Sequence, residues 1–140
     1  MRDYRKLDAF QKAHQLVLGV YRLTKSFPAE ERFGLTSQLR RASVSITSNI
    51  VEGSARDSEA EYRRFIEIAH ASSWEVEYQI QLSVDLELCP IVHVSLDKEK
   101  ERERVKDRLP RTTHADQIIA QCRQVSRMLS GLLQSLARPS

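Results

Sequence analysis

Glycine and proline are scarce in this chain, with four of each in 140 residues. So few turn-forming residues argue against a fold built from many short strands, and for helices. Cysteine is scarcer still. Cys89 and Cys122 stand alone, without CxxC spacing, so two free thiols in a reducing compartment are expected. No apolar run approaches membrane-spanning length, and the opening MRDYRKLDAF is too charged for the apolar core of a signal peptide. A cytoplasmic location without a membrane partner is the expectation. No glycine-rich phosphate loop occurs either.

What is present fits an ordinary globular protein. The apolar fraction is 41% and the charged fraction 29%, which argues against wholesale disorder. The length suits one domain, residues 1–140, with a single core. A formal net charge of +3 permits a nucleic-acid partner without demanding one, because basic and acidic residues look interspersed.

Hydrophobic periodicity predicts four helices, over about residues 9–26, 34–53, 58–88 and 113–137. In the first, Phe10, Ala13, Val17, Val20 and Thr24 keep three-four spacing, with Asp8 as N-cap and Phe27-Pro28 as the stop. In the second, Leu39, Ala42, Ile46, Ile50 and Gly53 share one face, and Gly53 is expected to close the helix. The third, the longest, follows a cap at Asp57 or Ser58 and carries Tyr62, Phe65, Ile66, Ala69, Ser73, Val76 and Ile80. The fourth has the cleanest pattern, Ala115, Ile118, Cys122, Val125, Leu129, Leu132 and Leu136, with Thr113 and Asp116 as a relaxed capping box. Between the last two, Ile91–Val94 could form a short extended piece. The charge-dense stretch within 90–112 is expected to be a mobile connection. Four amphipathic helices with mostly short connections make an all-α, up-down-up-down antiparallel four-helix bundle.

The second helix is apolar on its back as well as its front. Val44, Thr47 and Val51 form the back stripe, and Trp74, Tyr78 and Leu82 form a second stripe off the seam of the third helix. Both are candidate subunit contacts. Asn49 and Glu52 are expected to be buried polar residues that fix register, with a shared polar functional site as the alternative. Arg40, Arg41, Arg56, Arg63 and Arg64 are candidates for a phosphate-binding surface that an oligomer would repeat. The competing reading pairs them with Glu59, Glu61 and Glu67 as solvated charge.

No catalytic constellation emerges. Glu67 and His70 have Glu-x-x-His spacing, but a di-metal bundle site needs a second copy and further inward glutamates, and the sequence supplies neither. Ser43, Ser45 and Ser48 lack a sequence-linked base and read as small residues that let helices approach. An enzyme using Glu52 and His70 at a subunit boundary is the rival class. No catalytic residue, metal or cofactor is assigned.

The segment Gln38–Gly53 also carries a resemblance. Gln38-Leu39-Arg40-Arg41-Ala42, Val44-Ser45-Ile46, Ser48-Asn49-Ile50 and Glu52-Gly53, preceded by Leu23-Thr24, Phe27-Pro28, Glu30-Glu31 and Gly34-Leu35-Thr36-Ser37, resemble the four-helix-bundle family named for proteins encoded in intervening sequences of bacterial 23S rRNA genes. Ser58, Glu61-Tyr62, Arg64-Phe65 and Ala69 extend the similarity, which covers roughly Tyr4 to Leu88. Thr47 stands where the family usually has proline, and Cys89–Arg111 does not resemble its short third connection. The resemblance implies a bundle whose relatives form ring-like homopentamers without established enzymatic activity. It is also distantly similar in fold to the accessory subunit of diversity-generating retroelements, which is associated with nucleic acid. A non-enzymatic homo-oligomeric assembly or adaptor module, with non-specific RNA or DNA binding through its basic residues as a candidate activity, is the functional expectation; a protein-only scaffold is the alternative.

Overall fold

A computed structural model describes residues 2–89 and 114–136. Helix α1 spans Asp8–Thr24, α2 Leu35–Ser54, α3 Glu59–Asp85 and α4 His114–Ser135. One-turn helices at Tyr4–Lys6 and Ala29–Glu31 precede α1 and α2. The expected extended piece, the charged connection and the Thr113 cap lie outside the described residues.

Neighbouring helices pack α1 on α2, α2 on α3, α3 on α4 and α4 back on α1. The described residues thus form an up-down-up-down antiparallel four-helix bundle, square in section. Leu16, Leu23, Leu39, Ile46, Ile50, Ile66, Ile80, Ile118 and Leu129 are fully buried at its centre. Each contributes about 1.5–3 kcal/mol relative to exposure. Buried Ser43, Ser54, Ser73 and Ser83 return their hydroxyls to carbonyls of their own helices. They therefore occupy little space and leave no unsatisfied donor.

Several helix ends differ from expectation. Asp8 is the first helical residue of α1 and Leu7 takes the cap position, without a side-chain bond. Asp8 still places negative charge in the first turn, where the helix dipole favours it. The α1 seam runs through Ala9, Ala13, Leu16, Val20 and Leu23, which turns Phe10 and Val17 to half-buried flanks. Phe10 there meets Tyr4 edge-on at 4.8 Å.

At the start of α2, Glu31 reaches forward and its Oε2 accepts from the Leu35 amide at 3.0 Å. Gly53 does not end α2, which continues to Ser54. It is there for space: a Cβ at position 53 would lie 2.8 Å from Phe65 Cβ and 3.2 Å from Tyr62 Cδ2. The helices α2 and α3 converge on that glycine.

Ser58 caps α3 as expected, its Oγ accepting from the Glu61 amide at 3.1 Å. The far end stops at Asp85 rather than near Leu88. Glu87 turns left-handed with φ 59°, and the amides of Leu88 and Glu87 bond back to Ser83 and Val84. This is a Schellman turn with glutamate where glycine is usual.

Candidate interaction surfaces

The candidate residues fall into separate places on the bundle, and their helices decide which. Along α2, the arginine pair sits near the beginning. Arg40 points toward α1: its Nε donates to Thr24 Oγ1 at 2.9 Å, and its guanidinium lies 4.6 Å from the Tyr21 ring centre. Arg41, one residue on, is exposed on the outer side of the helix. Below them Phe33 stands 90% exposed, with the Arg32 guanidinium 5.6 Å from its ring centre. Together with Val44, these residues line an open groove of about 590 Å³ along the α1–α2 edge. Hydroxyls of Thr36, Ser37, Ser45 and Ser48 complete its lining, and no carboxylate is among its described residues.

The remaining arginines are elsewhere. Arg56, Arg63 and Arg64 lie at the other end of α2, about 20 Å away at 1.5 Å rise per residue. Arg56 covers the Phe65 ring at 4.8 Å. Arg63 is engaged within the fold, donating to the carbonyls of Leu133 and Leu136 and pairing with Glu67 at 3.1 Å. Arg64 is exposed. One five-arginine patch is therefore not what the fold builds.

The back stripe of α2 divides too. Val44 is exposed at the groove. Thr47 is half-buried, with its hydroxyl on the Val44 carbonyl. Val51 is half-buried and shares a cleft of about 280 Å³ with the N-terminal segment Arg2–Arg5. That segment is pinned by the Arg2 amide on the Ser54 carbonyl at 3.0 Å and by the Arg2 guanidinium 4.0 Å from the Tyr62 ring centre. Burial raises the pKa of the Tyr62 phenol above its usual value, and the Arg2 charge opposes that shift.

On α3, Trp74 and Tyr78 are 60% and 65% exposed. Leu82, expected in the same stripe, instead turns half-buried against the core. Trp74 leans toward α4: it meets His70 edge-on, and His70 Nε2 is 3.2 Å from Ser126 Oγ. Glu77 reaches the same neighbour through Arg123.

Asn49 and Glu52 part company. Asn49 is half-buried and donates to the Ser45 carbonyl at 2.7 Å and to its Oγ at 3.1 Å. Ser45 in turn meets Ser72 of α3 at 3.0 Å, so the amide belongs to a polar bridge between α2 and α3. Glu52 is exposed, contrary to the expected burial. It lies on the α2 flank away from the seam. Neither Glu52 nor His70 lines either of the two clefts. Among the described residues, no three His, Cys, Asp or Glu side chains converge as metal ligands. No described helix is long and apolar enough to cross a membrane.

Sequence reasoning missed Arg32, Phe33 and Tyr21 as a surface feature, because Phe33 sits in a connection that periodicity does not weigh. It also missed a segregation of charge. From Arg32 to Val51 the chain has three arginines and no carboxylate, whereas from Phe65 to Leu88 it has Glu67, Glu75, Glu77, Asp85 and Glu87 without one Lys or Arg. Whole-chain averages hide that asymmetry.

No curated protein matches this chain. The model of the 23S rRNA-intervening sequence protein family matches residues 5–131. Fold, signature helix and matched span agree, and the chain belongs to the 23S rRNA-intervening sequence protein family.

Proposed function

We propose that this protein is a non-enzymatic assembly module that associates with copies of itself. One observation carries the reading: among the described residues Phe33, Trp74 and Tyr78 are large aromatic side chains left 60–90% exposed, outside the buried core. Exposed aromatic residues grouped with arginine are the chemistry of protein interfaces. Light scattering on a concentration series tests it. A mass well above that of one chain supports the reading, and a monomer at all concentrations ends it.

A second reading follows from the carboxylate-free groove. Three arginines with two exposed aromatic rings can engage phosphates and stack bases without reading their sequence. Arg40 is tied to Thr24, so the informative replacements are Arg32→Glu with Arg41→Glu. Binding of a generic RNA or DNA strand at two salt concentrations should then fall if the groove is the site. Unchanged binding removes the groove from consideration.

A further inference from the structure

The groove along the α1–α2 edge has the size of a small-molecule site. Its volume of about 590 Å³ falls within the range of roughly 300–1,000 Å³ usual for ligand pockets. Two kinds of group line it, and both are placed before any ligand arrives. Phe33 is 90% exposed, with the Arg32 guanidinium over one face of its ring, so the other face is open to a flat partner. Arg40 has its Nε on Thr24 Oγ1 and its guanidinium over the Tyr21 ring. That uses one of its five N–H groups and sets the direction of the rest. Arg41 stands exposed one residue on. Glu31, the neighbour of Arg32 in the chain, is turned onto the Leu35 amide, so its carboxylate stays out of the groove lining.

We infer that this groove binds one nucleoside triphosphate, with the base stacked on Phe33 and the phosphates on Arg40 and Arg41. This site rests on the phosphate-binding reading of the groove and names its ligand. A nucleotide joins a planar ring to a polyanion, and the groove offers an aromatic face for the first and guanidinium groups for the second. The hydroxyls of Ser37 and Ser45, between these two ends, suit the sugar. The basic character also stops within the groove. After Arg41 no Lys or Arg follows until Arg56, about 20 Å further on at 1.5 Å rise per residue. A strand laid along α2 would leave its next phosphates without a cation, whereas a single nucleotide carries its charge in one place. A phenyl ring has no donor or acceptor to read a base edge. Purines should therefore bind more tightly than pyrimidines through stacking area, and adenine should equal guanine.

Isothermal titration calorimetry with ATP, UTP, inorganic tripolyphosphate and a generic short RNA strand is the test. ATP should bind once per chain and about tenfold more tightly than tripolyphosphate, the difference being the stacked base, with UTP between them. Phe33→Ala should bring ATP down to the level of tripolyphosphate and leave tripolyphosphate itself unchanged. Phe33→Trp should keep the tight binding, and Arg41→Ala should weaken both ligands alike. Positions 33 and 41 are exposed, so neither change removes a core contact. ATP binding no tighter than tripolyphosphate, or indifferent to Phe33→Ala, overturns the nucleotide site and leaves a phosphate surface. Strand binding that excess ATP does not displace overturns it in favour of an extended strand. No binding by any of the four probes defeats the phosphate reading itself. If Phe33→Ala fails to fold, photo-labelling of the parent with an azido analogue of ATP decides. Label within residues 21–48 supports the site, and label confined elsewhere overturns it.

Discussion

Arg63 Nη1 donates to the carbonyl oxygen of Leu133, seventy residues further along the chain. The last carbonyls of a helix have no partner within it, and a cation suits that end. Arg63 therefore fastens the end of α4 to the first turns of α3. Replacing it with alanine should cost about 1.5–3 kcal/mol, as expected for a lost hydrogen bond to a charged group. Lysine should restore only part, because it lacks the planar fork. Urea denaturation reads both values. A fall in stability below about 0.5 kcal/mol, the range of ordinary surface substitutions, would reduce the contact to a surface ornament.

Glu87 holds a left-handed conformation that glycine adopts at no steric cost. Glu87→Gly should therefore stabilise the protein by about 0.5–1 kcal/mol, the gain limited by the extra freedom glycine has when unfolded. Thermal unfolding at neutral pH is the check, and a lowered midpoint would contradict the account.

Gly53→Ala should have the opposite sign. The added methyl would meet Phe65 Cβ at 2.8 Å, and that atom is bonded directly to the α3 backbone, so relief requires α2 and α3 to separate locally. About 1–3 kcal/mol of destabilisation is expected from such overpacking. Gly131, with open space around its Cβ position, is the matched control: Gly131→Ala should be stabilising by helix propensity.

The cysteines differ in environment. Burial, with help from Glu77, pushes the Cys122 thiol up to about 12, and burial also raises Cys89. Between pH 9 and 12 the unfolded chain releases the Cys122 proton while the folded chain retains it. Stability should therefore be level near neutrality as far as this group is concerned. It should then fall with rising pH, by up to about 1.4 kcal/mol per unit. Tyr62, raised in the same direction, steepens the decline further up the pH scale. Cys122→Ala should flatten its share of the slope. In thiol labelling of the native protein, half-buried Cys89 should react first and Cys122 only as the bundle opens.

The bundle was legible because helical periodicity reports burial directly: Ile118, Cys122, Val125 and Leu129 fall where the spacing puts them. Helix ends were read less well. Asp8 looked like a cap and Gly53 like a stop because both residue types favour those positions, yet tertiary contact decided otherwise. The Phe65–Gly53 approach depends on two helices at once, and no window along one of them contains it. The same holds for Arg63, which the sequence grouped with exposed arginines while its partner lies seventy residues on. Glu52 was misplaced by its proximity to the Asn49 motif, although it lies two residues past Ile50 and one before Gly53, steps that leave a seam of three-four spacing.

The position of α4 has a consequence for the protein as it is made. This helix packs against both α1 and α3 and so closes the square. During synthesis α1, α2 and α3 leave the ribosome first, as an open trough with apolar walls. The stretch before α4 delays its arrival by a further interval of translation. For that time the unfinished chain has an apolar cleft that α4 does not yet cover. Slowing translation before α4 should lengthen the exposure and increase capture by chaperones, with no change in the finished protein.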